Sequence, residues 1–176
     1  MIYQPSEDSF LLATEVKKKS NGKKVLDVGS GSGILAESAL SGGASEVLCS
    51  DIDAEVVGYL RRKGLNAIKS DLFSDISGKY DLIVFNPPYL PLDEREDRKS
   101  AKITTGGVRG DEIIIKFLRD ADNYLEEGGI ILLLISSLTP VDRINKIIQK
   151  KKFVKRKVSE KKMFMEKLEV WEIRKN

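Results

Sequence analysis

Along this chain, short continuous apolar runs alternate with periodic, mixed segments from one end to the other. "SEDSFLLATEVKKK" opens on Ser6 as an N-cap, has acids in its first turn and ends in lysines, as helix electrostatics favour. "KKVLDVG" is a β-branched run closed by glycine and reads as a buried strand. A helix from about Gly33, a strand at "EVLCSD", a helix at "AEVVGYLRRKG" and a short strand at "NAIKS" follow. "YDLIVFN" is another buried strand. After a polar loop over 90–109, "DEIIIKFLRDADNYL" reads as a helix, "EEGG" as a turn and "IILLLIS" as a strand. A helix from about Pro140 and strands near 153–158 and 167–174 finish the pattern.

Strands alternating with helices predict an α/β domain, residues 1–176, built on right-handed crossovers and a mostly parallel sheet with helices on both faces. The last two strands lack a helix between them, so they should pair as an antiparallel C-terminal hairpin at one edge. In open α/β sheets, ligands bind beyond the carboxyl ends of the strands. The two most unusual loops of this sequence, "GSGSG" and "NPPY", both fall there.

Composition narrows the chemistry. Apolar residues make up 41% and charged residues 32%, which suits a globular chain and not a disordered one. The longest apolar run, "IILLLI", is too short to span a bilayer, and "MIYQPSEDSF" lacks the basic start and apolar stretch of a signal peptide. No membrane association and a cytoplasmic location are therefore expected. There is one cysteine, Cys49, and no histidine, so Ser-His and Cys-His pairs are excluded, as are a disulfide and a cysteine-rich metal site. No metal ligands are assigned. From Val141 onward there are 13 Lys/Arg against 5 Asp/Glu, an asymmetry that suits either an anionic partner or a solvated, lysine-rich surface. The second, blander reading is preferred.

"VLDVGSGSG" places Gly29, Gly31 and Gly33 in alternation after the first strand, where the backbone can turn sharply and a ligand can touch the main chain. Gly31, Gly33 and Ala36 also satisfy the dinucleotide pattern G-x-G-x-x-G/A, so the loop alone leaves two cofactor classes open. The acids separate them. Asp27, just before the loop, is expected to point a carboxylate at the site, unwelcome near a pyrophosphate but useful near an ammonium group. Asp51 closes the second strand within reach of ribose hydroxyls, and Asp71 follows the third, within reach of an adenine amino group. Acids at three successive strand ends suit a cationic nucleoside without phosphates, such as S-adenosylmethionine.

The strand "YDLIVF" ends in Asn86-Pro87-Pro88-Tyr89. An amide or aromatic amino nitrogen is a poor nucleophile because its lone pair is delocalised. Accepting both of its hydrogens favours a pyramidal nitrogen with a freer pair. The Asn86 side chain supplies one acceptor and the Pro87 carbonyl the other, in a loop whose prolines fix φ and bring no competing N–H. Tyr89 can lie against a planar target. Catalysis then consists mainly of orientation and needs no general base. A structural role as a strand terminator would explain the prolines but neither Asn86 nor Tyr89.

With these motifs in place, the sequence resembles class I methyltransferases carrying N-P-P-Y, and within them the HemK-type protein-glutamine methyltransferases of archaea and eukaryotes. "YQPSEDSFLL" is similar to that family's N-terminal signature; "DVGSGSG", "SDID", "SDLF" and "FNPPY" follow in family order, and "GGVRGDE" resembles its later glycine-rich segment. The resemblance implies a Rossmann-like fold with a seven-stranded sheet. It implies cofactor contacts at Ser9, Asp27, Gly29, Asp51, Asp71, Leu72 and Asn86, with Glu7 and Asp8 lining the methionine end. The implied substrate is the glutamine in the Gly-Gly-Gln loop of a class 1 peptide-release factor. Two departures stand out: Ile52-Asp53-Ala54 replaces the usual Ile-Asn-Pro, and the chain lacks the N-terminal helical domain of the bacterial enzymes. The second suits the archaeal and eukaryotic branch, where a small zinc-binding activator subunit is typical; the edge strand near Asn66–Ser70 is where it would pair.

Three other functions compete. The same loop handles the adenine amino group in DNA or RNA, although no extra domain for gripping a duplex is evident. An adaptor that keeps the fold without catalysis would not need an intact Asn86-Pro87-Pro88-Tyr89. A dinucleotide oxidoreductase would be indifferent to Asn86. The polar segment "LDEREDRKSAKITTGG" is expected to order over bound substrate.

Overall fold

In the computed structural model, residues 4–89 and 104–176 are described. The elements in chain order are α1 (Glu7–Lys19), β1 (Lys24–Val28), α2 (Ile34–Ser41), β2 (Glu46–Asp51), α3 (Ala54–Arg62), β3 (Ala67–Lys69) and β4 (Tyr80–Phe85). After them come α4 (Glu112–Asp120), a 3-10 turn (Ala121–Asn123), β5 (Leu125–Ser136), α5 (Asp142–Lys150), β6 (Phe153–Met163) and β7 (Glu166–Lys175). The strands form one seven-stranded sheet in the order β3-β2-β1-β4-β5-β7-β6, parallel from β3 to β5, with β7 antiparallel to both β5 and β6.

Continuous apolar runs are what parallel strands covered on both faces require, and strand alternation assigns each residue to one of two cores. Leu26, Val28, Ile83, Phe85, Ile131 and Leu133 face the layer of α4 and α5. Val25, Leu82, Val84, Leu132 and Leu134 face α1, α2 and α3. In the first layer Phe117 of α4, fully buried, stacks on Phe73 at 5.2 Å and tilts against Phe85 at 4.6 Å. Truncating such a side chain to alanine costs about 3–5 kcal/mol. On the other face the start of the α2–β2 connection presses on α1. A Cβ at Gly42 would lie 2.3 Å from the Lys17 carbonyl oxygen, so only glycine fits there.

Two element boundaries differ from the sequence pattern. "EEGG" is not a free turn before the strand but an irregular part of β5. Leu125 already pairs with Tyr80, and the register then jumps so that Leu82 meets Ile130. The early pairing is seeded by the Tyr80 N–H donating to the Tyr124 carbonyl at 2.9 Å. The final hairpin is longer than its apolar residues suggest, because β6 is an edge strand whose outer face tolerates lysine and glutamate.

The chain passes from β1 through β2 to β3 on one side, then crosses back to β4 and β5 on the other. The order therefore reverses between β1 and β4, the place where such sheets open a crevice for ligands. Val28 and Phe85, the last residues of these two strands, are partners in the register. The glycine loop and the Asn-Pro-Pro-Tyr loop thus leave the sheet side by side. Among the described residues no helix is long and apolar enough to cross a membrane.

Candidate active site

A cavity of about 890 Å³ opens at this reversal point, within the size range of small-molecule sites. Its wall includes Asp8, Ser9, Gly29, Gly31, Asp51, Asp71, Leu72, Asn86, Pro87, Pro88 and Tyr89, which brings most of the sequence-predicted residues together.

The glycine loop folds back on the neighbouring strand. Ser30 N–H donates to the Ser50 carbonyl at 3.0 Å, and Gly31, at φ 51°, donates its N–H to Asp51 Oδ2 at 3.1 Å. The other oxygen, Asp51 Oδ1, accepts from the Asp53 N–H at 3.0 Å. Burial pushes the Asp51 carboxyl up from its ordinary value, and these backbone donors hold it back. A carboxylate oriented at both oxygens by main chain keeps lone pairs for a pair of ligand hydroxyls. Asp53 itself caps α3 by accepting from the Glu55 N–H at 2.8 Å, so Asp53 is a competent N-cap at a position where the resembled family has asparagine.

Asp71 lies at the mouth in an ion pair with Lys116 of α4 at 2.8 Å. Next to it Leu72 adopts φ 52°, a left-handed conformation uncommon for a branched side chain, and lines the wall. The strain is supported from below: the Ser70 hydroxyl donates to the Leu72 carbonyl at 2.9 Å.

At the Asn-Pro-Pro-Tyr loop the decisive contact crosses the chain. Asn86 Nδ2 donates to Asp8 Oδ2 at 3.2 Å. A carboxylate only accepts, so the carboxamide must turn its NH2 toward Asp8 and its oxygen away. That oxygen, Asn86 Oδ1, is buried with no hydrogen-bond partner. Asp8 is held in turn by the Ser6 hydroxyl and the Ser9 N–H, both donating to Oδ1 at 2.6 Å. Behind the prolines sits the segment "GGVRGDE": a Cβ on Gly106 would lie 2.5 Å from the Pro88 carbonyl oxygen and 2.4 Å from that of Gly110. Glu112 ties this segment together by accepting from the N–H groups of Arg109 and Gly110 at 3.1–3.3 Å. Burial works to raise the Glu112 carboxyl, but these N–H groups and the Arg143 charge hold it below its ordinary value. On the far side the Thr139 hydroxyl donates to the Tyr89 carbonyl at 3.2 Å.

Three expected contacts are placed elsewhere. Asp27 does not face the cavity: it shares a strand face with Val25 and lies fully buried beneath α2, beside Cys49 and Val84 in the register. Neither carboxylate oxygen makes a well-formed hydrogen bond. Burial pushes its pKa up to about 7, only partly offset by the Ser30 hydroxyl, and the Asp51 charge adds to the rise. Glu7 is one residue from Asp8 and so points about 100° away around α1; it is exposed and forms an ion pair with Lys161 of β6. Gly33, at φ 85°, is needed for packing, since a Cβ there would sit 2.8–2.9 Å from Leu65 and Leu60. Conversely, Lys116, Ile113 and Thr104 line the cavity without having been anticipated. Lys116 and Ile113 sit in an amphipathic segment that reads only as helix, and no local motif marks them. The segment expected to order over substrate falls largely in 90–103, outside the described residues.

An unpartnered buried acceptor beside a cavity with a doubly oriented carboxylate suits a nucleoside-bearing cofactor next to a planar N–H2 donor. Comparison with known proteins points the same way. Residues 6–164 match the family described as the methyltransferase small domain. A Methanocaldococcus jannaschii protein, provisionally named a protein N5-glutamine methyltransferase, is 37% identical over 155 residues, covering 83% of this chain and 78% of the relative. Methyltransferase HEMK2 of Mus musculus is 29% identical over 151 residues, covering 76% and 71%. Among solved structures, the Mtq2–Trm112 complex of E. cuniculi, described as responsible for methylating the translation termination factor eRF1, aligns over 99% of both chains. Its TM-score is 0.78 at 26% identity.

Proposed function

The chain belongs to the methyltransferase small domain family, and we propose that within it the protein moves a methyl group from S-adenosylmethionine to a glutamine side chain. The acceptor in this reading is the amide nitrogen of the glutamine in the Gly-Gly-Gln loop of a class 1 peptide-release factor. One observation carries it: Asn86 is turned by Asp8 so that its buried oxygen is left as an unused acceptor at the cavity wall.

The bound cofactor supplies an electrophilic methyl carbon on a sulfonium. The residues do the rest by position. Asn86 Oδ1 takes one hydrogen of the glutamine NH2 and the Pro87 carbonyl the other, which draws the nitrogen lone pair out of conjugation and toward the methyl. Tyr89 packs on the planar amide. Forming the C–N bond would break the methyl C–S bond, its electron pair returning to sulfur so that the cofactor leaves as the neutral thioether S-adenosylhomocysteine, and the nitrogen would release one proton past these acceptors to solvent. In this reading Asp51 would receive the ribose hydroxyls and Asp71 the adenine amino group, Gly29 and Gly31 would bring main chain against the cofactor, Ser9 and Leu72 would border it, and Asp8 would lie toward its methionine end; all of these residues line the cavity. Asp27 is buried next to the loop and is not among the residues that line the cavity.

The glutamine methyltransferase name of the Methanocaldococcus jannaschii relative and the eRF1 methylation ascribed to the Mtq2–Trm112 complex support this substrate class. The Mtq2–Trm112 complex supports a partner subunit for this chain as well; that it is a small, zinc-binding activator is what the family resemblance implies, and we place it along β3, an edge strand paired only with β2 among the described residues. Full activity of the purified chain without any partner would count against the activator.

The test is incubation with labelled S-adenosylmethionine and, separately, a release factor, DNA and RNA, with Asn86→Ala as control. Label on the release-factor glutamine, absent in the variant, is the expected result. Label on nucleic acid alone would move the function to adenine methylation.

A further inference from the structure

The β6–β7 connection is a turn of two residues, Phe164 and Met165, between Met163 and Glu166, which pair across it. Such turns form most easily with glycine or asparagine. Here Met165 is held at φ 60°, and large apolar side chains stand in water: Phe164 is 94% exposed, Met165 83% and Met163 40%. The tip is thus unfavourable twice, in backbone conformation and in hydration, and it contributes nothing to either core. Residues held in strained conformations with exposed apolar surface point to a contact made elsewhere.

Its position says with what. Leu168 pairs with Ser136, the last residue of β5, so the tip stands at the end of the sheet where the cavity opens. It is braced to the site on two sides. The Ser136 hydroxyl donates to Glu166 at 2.6 Å, and the connection after Ser136 carries Thr139, which holds Tyr89. Lys161 pairs with Glu7, the neighbour of Asp8. We infer that Phe164 and Met165 form a docking point for the protein that carries the acceptor glutamine, gripping an apolar patch beside its exposed loop. This rests on the function proposed above. Methionine and phenylalanine suit a shallow, adaptable apolar contact. A nucleic acid is disfavoured, because the nearby Lys161 and Lys167 are already paired with Glu7 and Glu169.

The test is the double variant Phe164→Asn, Met165→Gly, which writes favourable turn residues and so keeps the hairpin. It is compared with wild type on full-length release factor and on a short peptide containing the same glutamine. The expected result is an affinity for the whole protein lower by about tenfold, the effect of losing one interface anchor. Peptide methylation and cofactor binding stay unchanged, and the melting temperature is no lower than that of wild type. Unchanged affinity for the whole protein overturns the inference. So does a parallel loss on the peptide, which would make the tip a support of the site, or a wild-type dimer that the variant splits, which would make it a contact between copies. Failure of wild type to label the release factor would instead overturn the proposed function itself.

Discussion

Replacing Asp8 by alanine removes the acceptor that orients Asn86 and tests the site where its geometry is most specific. A hydrogen bond to a charged partner contributes about 1.5–3 kcal/mol. The Asn86–Asp8 bond is long for a charged pair at 3.2 Å, and the other Asp8 oxygen already receives Ser6 and Ser9. The lower half of that range is therefore appropriate, which corresponds to a drop in kcat of roughly ten- to thirtyfold. The drop arises because the freed carboxamide can rotate and present NH2 where its oxygen is needed. The assay is a double-mutant cycle under saturating cofactor: Asp8→Ala, Asn86→Ala and the pair, with cofactor affinity measured separately by calorimetry. If Asp8 acts through Asn86, the pair is no slower than Asn86→Ala alone. Two outcomes refute the reasoning. Additive losses in kcat would mean that Asp8 contributes independently, and a loss confined to cofactor affinity would make it a ligand contact and no positioning residue.

Asp27 predicts a pH dependence of stability. Its folded pKa is raised to about 7 from 3.8, so the folded chain keeps a proton that the unfolded chain has released. The stability this proton provides is fully present below the unfolded value, drains away as pH rises from there through the folded value, and the loss is complete above it, at roughly 4 kcal/mol. Asp27→Asn should therefore stabilise the protein against urea much more at about pH 8 than at about pH 4, and an equal effect at both would contradict the burial argument. Gly106→Ala forces the Pro88 and Gly110 carbonyls apart; kcat should fall by at least about tenfold, the cost of a misplaced catalytic group, with cofactor affinity retained. Lys116→Ala breaks a pair exposed at both ends, so unfolding free energy should change by less than about 1 kcal/mol. Asp71→Ala, by contrast, should weaken cofactor binding about tenfold by isothermal titration, as loss of one good hydrogen bond does.

How far these features can be read from the sequence depends on the range over which each is encoded. The glycine loop, the acid closing β2 and the Asn-Pro-Pro-Tyr exit are local patterns tied to strand ends, and the sheet order then brings them to one cavity. Two of the acids lie off the cavity wall for reasons of periodicity. The distance of Asp27 from the glycines points it at the site, yet the alternation in "KVLDV" puts it on the face of Val25, under the helices. The arc of α1 that faces the cavity takes in Asp8 and Ser9, and rotation of about 100° per residue turns Glu7 out of it into solvent. What could not be read is long-range pairing. Asp8 meets Asn86 across 78 residues, and Lys116 meets Asp71 across 45. No spacing rule connects them, because α1 and α4 are carried to the site by packing on opposite faces of the sheet. The Asn-Pro-Pro-Tyr loop is legible as a motif, but the direction its carboxamide faces is set by an acid that only the folded chain brings to it.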